Sequence, residues 1–265
     1  MPRFAANLSM LYGEHDFLDR FAAAAKDGFQ GVEYLFPYAF EKAALVDALK
    51  ANNLTQVLHN MPGGDWDAGE RGLACLPDRI GEFQDGVGAA IDYATALGCK
   101  QLHAMAGIRP EGVDPDRIAE TYIENLRFAA KKTEEAGIKL LIEAINTIDI
   151  PGFYLATSAQ AFAVMETVGS DNLYFQYDIY HMQIMEGDLV RTIEKRLPKI
   201  AHMQLADNPG RHEPGSGEIN YPFVFDAVDR MGYKGWIGCE YKPKAGTSAG
   251  LGWLRPYIGA SAAAE

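Results

Sequence analysis

Residues 138–146 read IKLLIEAIN, and this stretch indicates how the chain folds. It is a short apolar run of the kind that forms a strand buried on both faces. Gly137 stands before it, after the amphipathic segment 115–136, and a glycine just past a helix adopts the left-handed conformation that ends it. The run closes on Glu143, although burying a carboxylate is costly unless it is paired, hydrogen-bonded or bound to a cation. The stretch therefore predicts a helix, a buried strand, and a carboxylate that faces a partner.

The same order of helix, Gly or Asn, and short apolar run recurs along the whole chain. Together with an opening strand near 3–9 it predicts eight strands alternating with helices, which is typical of a parallel sheet. Eight units in 265 residues match the (β/α)8 TIM barrel, an α/β fold of about 250 residues. We predict one barrel domain over 1–258 and a disordered, Ala-rich tail at 259–265. The predicted helices are 16–27, 42–51, 78–97, 115–136, 158–168, 188–196 and 222–231, with a last one near 248–258.

The composition excludes several classes of partner. A net charge of −12 argues against a nucleic-acid partner, because phosphate backbones are bound by basic patches. No apolar run approaches the ~18 residues of a membrane helix, and the first residues lack the apolar segment of a secretory signal. Three cysteines without CxxC spacing fit a reducing compartment. We therefore expect a cytoplasmic protein that binds neither nucleic acid nor membrane, and we leave a homo-oligomer open.

One segment interrupts the alternation. Residues 59–77 (HNMPGGDWDAGERGLACLP) follow the third predicted strand and show neither helical nor strand periodicity. A loop of this length inside a compact domain is usually functional or disordered. Because it carries Trp66 and several charges, we expect it to be an active-site lid, with a plain surface insertion as the alternative.

Glu143 is one of four oxygen-bearing side chains at the carboxyl ends of consecutive predicted strands. In a parallel barrel these ends form the catalytic face, so we expect the four side chains to converge there. Such a set of two Glu, one Asp and one amide suits a hard divalent cation, Mg²⁺ or Mn²⁺, better than zinc. The alternative for any one of them is a salt bridge in a loop. The four predicted metal ligands are Glu143, Asp178, Gln204 and Glu240.

The alternation of side chains along a strand supports this convergence. If Asp178 faces the barrel interior, Gln176 and Tyr174 also face it. By the same rule, His202 faces the interior if Gln204 does, and Gly238 does so if Glu240 does. The neighbours on those strands would face the helices, and they are Phe175, Tyr177, Met203, Leu205, Ile237 and Cys239. The interior set of the last two strands is His202, Gln204, Gly238 and Glu240.

The motifs LLIEAIN, YDIYH, HMQLADNPGRHEPGSGEINY and GCEYKP resemble those of the xylose-isomerase-like barrel superfamily, most closely its hydroxypyruvate isomerase group. The likeness covers nearly the whole chain. It implies that Glu143, Asp178, Gln204 and Glu240 bind the divalent metal. It also implies that Glu143 and Glu240 are the catalytic acid–base pair. Related sugar epimerases usually have His as the third ligand, so Gln204 favours the hydroxypyruvate isomerase group.

The resemblance also indicates residues that would bind substrate. His181 lies where relatives place a substrate-binding His, and Arg211 lies where they place a cationic contact. A 2-oxo acid needs such a cation for its carboxylate. Lys242 is a second candidate cation, and His59 is a further candidate near a strand end. His103 and Glu218 also lie near strand ends or in loops of the catalytic face. For His59, His103 and Glu218, a structural hydrogen bond is as good an interpretation as a role in the site.

The expected reaction is conversion of hydroxypyruvate to tartronate semialdehyde. A cation polarises the carbonyl and acidifies the neighbouring C–H; one glutamate removes the C3 proton to give an enediolate, and the other supplies a proton at C2. The alternatives within enzymes are a 2-oxo-tetronate isomerase or a related sugar epimerase. A zinc endonuclease of the apurinic-site repair group is a more distant alternative, which six His in the chain and an acidic surface disfavour. A metal-dependent binding protein without catalysis is the non-enzyme alternative.

Overall fold

The computed structural model describes residues 1–258, and the predicted tail at 259–265 lies outside the described residues. Eight strands follow one another in chain order in a closed barrel, which confirms the predicted (β/α)8 fold. The prediction of one domain over 1–258 stays a prediction. The strands are β1 (Arg3–Asn7), β2 (Gly31–Tyr34), β3 (Thr55–Asn60), β4 (Gln101–His103), β5 (Lys139–Glu143), β6 (Leu173–Asp178), β7 (Ile200–Leu205) and β8 (Trp236–Cys239).

The helices match the predicted ones closely, except that the last is broken into short pieces and one helix is additional. Short 3₁₀ turns at Phe17–Asp19 and Pro77–Arg79 precede the first and third helices. The α-helices are α1 (Arg20–Lys26), α2 (Lys42–Ala51), α3 (Ile80–Leu97), α4 (Pro115–Glu135), α5 (Ser158–Val168), α6 (Ile179–Met185), α7 (Leu189–Arg196), α8 (Tyr221–Arg230), α9 (Thr247–Gly250) and α10 (Arg255–Ile258). None of the helices in the described part of the chain has the length and apolar character needed to cross a membrane.

The chain divides into two compact units. The first comprises 1–34, 40–57 and the described residues from 177 onward. Within it, β8 pairs in parallel with both β1 and β7, and β1 pairs with β2. The registers align Asn7 with Glu33, and Gln204 with Gly238. Because paired residues of parallel strands point the same way, these side chains share the interior face.

The second unit comprises 35–39 and 58–176, and it holds the parallel ladder that runs from the end of β3 through β4 and β5 to β6. Its registers align Asn60 with His103, and Glu143 with Gln176. On the other face of β6, Phe175 packs on Phe162 of α5, with the ring centroids 5.3 Å apart. This contact confirms the prediction that Phe175 faces the helices.

The helix ends follow from local sequence. The Asp114 side chain accepts a hydrogen bond from the backbone N–H of Asp116 and so caps the start of α4, where Pro115 occupies the first turn. The Thr157 hydroxyl caps α5 in the same way. Gly98 ends α3 with φ of 68°, the left-handed conformation that glycine adopts without strain. These signals explain why helix boundaries could be read from the sequence.

The additional helix, α6, follows β6 without a loop, and the sequence pattern did not predict it. Asp178 is both the last residue of β6 and the cap of α6, since its Oδ1 accepts the backbone N–H groups of Tyr180 (2.8 Å) and His181 (3.4 Å). The segment IYHMQIM is largely apolar without a clear period, so periodicity gave no signal. Asp178 is therefore fixed by backbone on both sides.

The long loop after β3 has no regular element between Asn60 and the turn at Pro77–Arg79, as predicted. Its Trp66 packs edge-on against Phe36, with centroids 5.2 Å apart, and Arg71 stacks over the indole at 4.0 Å. The Arg71 guanidinium also donates to the carbonyl oxygen of Trp66 at 2.9 Å. The role of this loop as a lid stays a prediction.

Candidate active site

A buried carboxylate in β2, Glu33, is the centre of a polar cluster in the first unit. It is 1% exposed. Its Oε1 accepts hydrogen bonds from Asn7 Nδ2 (3.0 Å) and Gln204 Nε2 (2.7 Å), and His202 Nε2 lies 2.7 Å from its Oε2. Buried polar groups are stable only when they are paired in this way. Strands β1, β2 and β7 thus share one polar cluster in the interior.

The space for this carboxylate comes from a glycine on β8. A Cβ placed on Gly238 would lie within about 2.2–2.4 Å of the Glu33 carboxylate atoms, far inside van der Waals contact. Only glycine lets the side chain of Glu33 occupy this position between the strands. The prediction that Gly238 faces the interior is therefore confirmed, with the physical reason that its missing side chain makes room for an acid.

Asp178 lies at the carboxyl end of β6 and is 1% exposed. Both of its hydrogen bonds from α6 are made by Oδ1. Its Oδ2 accepts no hydrogen bond from residues 1–258, and His181 Nε2 lies 3.6 Å from it. A buried carboxylate oxygen in this state needs a further positive partner.

Glu240 follows directly after β8 and is 7% exposed. Arg211 Nη2 lies 3.3 Å from Glu240 Oε2, and the Arg211 guanidinium stands 5.2 Å over the ring of Tyr180. Arginine is the side chain best suited to bind a carboxylate through two parallel N–H donors. The end of β8 therefore combines a buried acid with a cation of fixed orientation.

The electrostatics of these groups follow from burial. Loss of hydration raises the pKa of Glu240 well above its ordinary value, and the nearby charges of Asp178 and Glu33 raise it further, while Arg211 opposes the shift. Burial also raises the pKa of Asp178, against the effects of Arg211 and of the two backbone N–H donors. In the protein alone, this end of the barrel has more buried negative charge than Arg211 balances.

The loop that bears Arg211 is held by a buried aspartate. The Asp207 carboxylate accepts backbone N–H groups from Gly215 (2.8 Å), Gly217 (2.9 Å) and Ile219 (3.1 Å). The loop is also tied to the chain after β8, because the backbone N–H of Lys242 donates to the carbonyl oxygen of Arg211 at 2.7 Å.

The predicted cation Lys242 thus has a backbone role in holding the Arg211 loop, and its side chain is exposed. Its role in substrate binding stays a prediction. The candidate Glu218 accepts hydrogen bonds from Gln183 and Asn208 on the surface, which matches the structural alternative.

The second unit has a polar cluster of its own around the end of β5. Glu143 is 5% exposed, and its Oε2 lies 3.7 Å from His103 Nδ1. The same ring nitrogen lies 3.2 Å from Asn60 Oδ1, and Asn60 Nδ2 donates to Met105 Sδ at 3.5 Å. A proton on Nδ1 of His103 would be donated to Asn60 Oδ1, on the side where the Glu143 carboxylate lies.

The structure does not bring His59 into that cluster. It is fully buried and lies next to Asn60 on β3, so strand alternation turns it to the opposite side. There its ring packs edge-on against Tyr38 at 6.1 Å, and Tyr38 contacts Tyr93 of α3. Burial lowers the pKa of His59 to about 4, so the ring is neutral. A role in substrate binding for this residue stays a prediction.

Sequence reasoning missed Glu33 and its partner Asn7. The signal was present, because GVEYLF places a carboxylate inside an apolar run in the same way as LLIEA does. The acid on β2 lies outside the last four strands, whose ends carry the predicted oxygen donors. His202 faces the interior as strand alternation predicted, with its Nε2 beside Glu33 Oε2.

Comparison with known proteins gives concordant results. The chain is 54% identical to a 2-oxo-tetronate isomerase of Cupriavidus necator over 98% of this chain and all of that protein. It is 53% identical to a hydroxypyruvate isomerase of Escherichia coli over 97% of this chain and all of that protein. A crystal structure described as AP endonuclease, family 2, from Brucella melitensis superposes with a TM-score of 0.95 at 50% identity, over 97% of this chain and 99% of that one.

The family model described as xylose isomerase-like TIM barrel matches residues 21–257. This range includes every residue predicted to bind metal or substrate. The chain therefore belongs to the xylose isomerase-like TIM barrel family.

Proposed function

We propose that this protein is an isomerase that converts hydroxypyruvate to tartronate semialdehyde. The observation that carries the proposal is the pairing of buried Glu240 with Arg211 at 3.3 Å, beside the buried Asp178. An acid that can exchange a proton thereby stands next to a cation that can hold a substrate carboxylate. The curated relatives named as hydroxypyruvate and 2-oxo-tetronate isomerases support the same class of activity.

The residues at the strand ends fit a divalent cation. Asp178 Oδ2 is buried and accepts no hydrogen bond from the described residues. The Gln204 amide has its nitrogen directed at Glu33, so its oxygen is directed away from that carboxylate. With Glu240 these donors are all oxygens, which suits Mg²⁺ or Mn²⁺. When bound, such a cation polarises a carbonyl and stabilises the negative charge that develops on the substrate oxygens.

Strand register supports Glu143 as the fourth ligand. Glu143 pairs with Gln176 of β6, and Asp178 lies two residues further along the same strand, on the same face. A shared cation would also compensate the burial of both carboxylates. We therefore propose the full predicted set, Glu143, Asp178, Gln204 and Glu240, as the metal ligands.

The substrate carboxylate would bind to Arg211. Its guanidinium is already fixed by Glu240 and by the ring of Tyr180, so little side-chain entropy is lost when a carboxylate binds. His181 lies beside Asp178 and would contact the substrate hydroxyl or carbonyl oxygen. Lys242 and His59 stay secondary candidates, the first on an exposed chain and the second fully buried.

Two glutamates then divide the proton transfer. One carboxylate takes the C3 proton of hydroxypyruvate, and the electron pair of the C–H bond forms the C2–C3 double bond of an enediolate. The other carboxylate, in its protonated form, donates to C2, and the proton of the 3-hydroxyl moves to the C2 oxygen as C3 becomes the aldehyde. Glu240 is suited to carry a proton near neutral pH because burial raises its pKa. Glu143 is its proposed partner.

The longer acid 2-oxo-tetronate is the second candidate substrate, since curated relatives of comparable identity are named for each activity. The test is a comparison of kcat/KM for the two acids with protein freed of metal and then supplied with Mg²⁺ or Mn²⁺. We expect metal-dependent turnover of hydroxypyruvate. A higher kcat/KM for 2-oxo-tetronate would reassign the substrate, and turnover in the complete absence of metal would exclude the proposed ligand role.

The description of the Brucella structure keeps an endonuclease as an alternative. Our proposal disfavours it, because the net charge is −12 and the site combines oxygen donors with few histidines. Cleavage of an abasic-site duplex by purified protein that contains stoichiometric zinc would favour the endonuclease. No cleavage together with isomerisation would favour the isomerase.

The setting of the protein is also a proposal. All three cysteines are free and buried, which fits a reducing compartment and supports a cytoplasmic location. The acidic net charge supports a small-molecule substrate without a nucleic-acid partner. A homo-oligomer is compatible with these features, and gel filtration at two concentrations would test it.

A further inference from the structure

We propose that Glu33 is the positioning residue for the metal ligand Gln204, because it determines which end of the Gln204 amide faces the cation. The inference rests on the proposed function, since it presupposes a cation held at Gln204. Glu33 itself lies on β2 and is not one of the proposed metal ligands.

The direction of the hydrogen bond carries the argument. Gln204 Nε2 donates to Glu33 Oε1 at 2.7 Å, a short charge-assisted bond. An ionised carboxylate only accepts hydrogen bonds, so the opposite orientation of the amide would place two oxygens against each other in a buried site. The nitrogen and oxygen of the amide diverge from one carbon atom. Glu33 therefore directs the carbonyl oxygen of Gln204 away from β2. In that orientation the oxygen is available as a ligand for the proposed cation.

Glu33 is itself held rigidly, which a positioning residue requires. Asn7 Nδ2 donates to the same Oε1 at 3.0 Å, and His202 Nε2 lies 2.7 Å from Oε2. The carboxylate sits in the space that the missing side chain of Gly238 leaves open. Three strands thus fix the acceptor, and the acceptor fixes the amide.

The negative charge of the Glu33 carboxylate would also strengthen Gln204 as a metal ligand. A ligand whose other end is hydrogen-bonded to a carboxylate is more electron-rich at the atom that meets the metal, and such outer partners typically contribute about 10–100-fold to metal affinity. A neutral amide is a weak ligand compared with the carboxylates around it. Glu33 would therefore improve the one neutral ligand in the set, which explains why an acid is buried on β2.

The competing explanation is that Glu33 only stabilises the interior. In that case its replacement would lower the stability of the fold but leave the metal affinity of the folded protein unchanged. Metal affinity and stability therefore separate the two explanations, and both can be measured without substrate.

The experiment is a calorimetric titration of metal-free protein with Mn²⁺, accompanied by thermal unfolding. The variant Glu33→Gln keeps the shape and removes the charge. The control Tyr12→Phe removes a different, partly buried hydrogen bond of the same unit, from the Tyr12 hydroxyl to Asp27 Oδ2 (3.0 Å).

We expect Glu33→Gln to weaken Mn²⁺ binding about 10–100-fold, and Tyr12→Phe to bind Mn²⁺ as the unsubstituted protein does. If Glu33→Gln does not fold, Glu33→Asp, which withdraws the carboxylate from Gln204, takes its place. Unchanged affinity in the Glu33 variant, or an equal loss in Tyr12→Phe, would overturn the positioning role alone. Absence of Mn²⁺ binding by the unsubstituted protein would overturn the proposed function and this inference with it.

Discussion

Two buried glutamates of the first unit, Glu33 and Glu240, differ in how their charge is compensated. Glu33 contacts three side chains at 3.0 Å or less, from Asn7, Gln204 and His202. For Glu240 the structure gives one cation, Arg211 at 3.3 Å, and burial raises its pKa. The first acid is held by hydrogen bonds from the interior, whereas burial of the second favours its protonated form. Burial of a carboxylate alone therefore does not indicate catalysis, but burial with incomplete compensation does.

The largest expected effect follows from removing the exchangeable proton. Glu240→Gln keeps the volume of the side chain but cannot transfer a proton, so we expect kcat on hydroxypyruvate to fall about 10²–10⁴-fold. The free energy of unfolding should not decrease, because a neutral amide replaces an acid that is costly to ionise there. Steady-state kinetics and urea unfolding measure the two quantities. A kcat within a factor of ten of the unsubstituted value would place the proton transfer elsewhere.

The next largest effect is expected for Arg211, the guanidinium beside Glu240. Arg211→Met removes the guanidinium, and the loss of a charge-assisted bond worth about 1.5–3 kcal/mol should raise KM for the 2-oxo acid roughly 10–100-fold. Arg211→Lys keeps the charge without the two parallel donors and should give an intermediate KM. If KM in both variants matches that of the unsubstituted protein, the substrate carboxylate binds to another group.

A smaller effect, on the free energy of unfolding, tests the position of Glu33. Gly238→Ala would place a methyl group on the Glu33 carboxylate, and overpacking of this kind typically costs about 1–3 kcal/mol of unfolding free energy. Gly252→Ala is the matched control, because within residues 1–258 no atom beyond its chain neighbours lies within 4 Å of the Cβ position there, and its φ is not left-handed. Equal stability of the two variants in urea would show that the Glu33 carboxylate does not lie against Gly238.

The smallest expected effect is a pH dependence of the metal-free protein. The pKa of Glu240 is higher in the folded state than in the unfolded chain, so its contribution to stability is present at low pH and is lost as pH rises through the folded pKa. We expect the free energy of unfolding in EDTA to fall between about pH 5 and pH 8, with a shallower fall in Glu240→Gln. Identical pH profiles of the two proteins would assign the slope to other groups.

The sequence was sufficient for the fold because each helix carries its own end signal. Gly98 and Gly169 both adopt left-handed φ values where helices end, and strands follow them within four residues. The sequence did not predict the helix that begins directly at the end of a strand, where one residue belongs to the strand and also caps the helix. Asp178 ends β6 and caps α6 at once, so no loop residues marked the additional helix.

The candidate site was predictable in part for a related reason. A carboxylate at the end of an apolar run is visible in the sequence, and this gave Glu143, Asp178 and Glu240. Contacts between distant strands are not visible, so the bond from Gln204 to Glu33 could not be anticipated. The sequence also does not indicate which of the neighbours His59 and Asn60 faces the site, since the direction of a side chain at a strand end depends on the strand's partners in space.

The central claim is that two separate carboxylates, Glu143 and Glu240, exchange the substrate's protons. Turnover of hydroxypyruvate in D₂O, followed by NMR of the product, tests it most directly. Because the proton delivered to C2 comes from a carboxyl group that exchanges with solvent, the account predicts one solvent deuterium at C2 of tartronate semialdehyde, whereas an intramolecular hydride shift predicts none. Active enzyme that yields product without deuterium at C2 would contradict it.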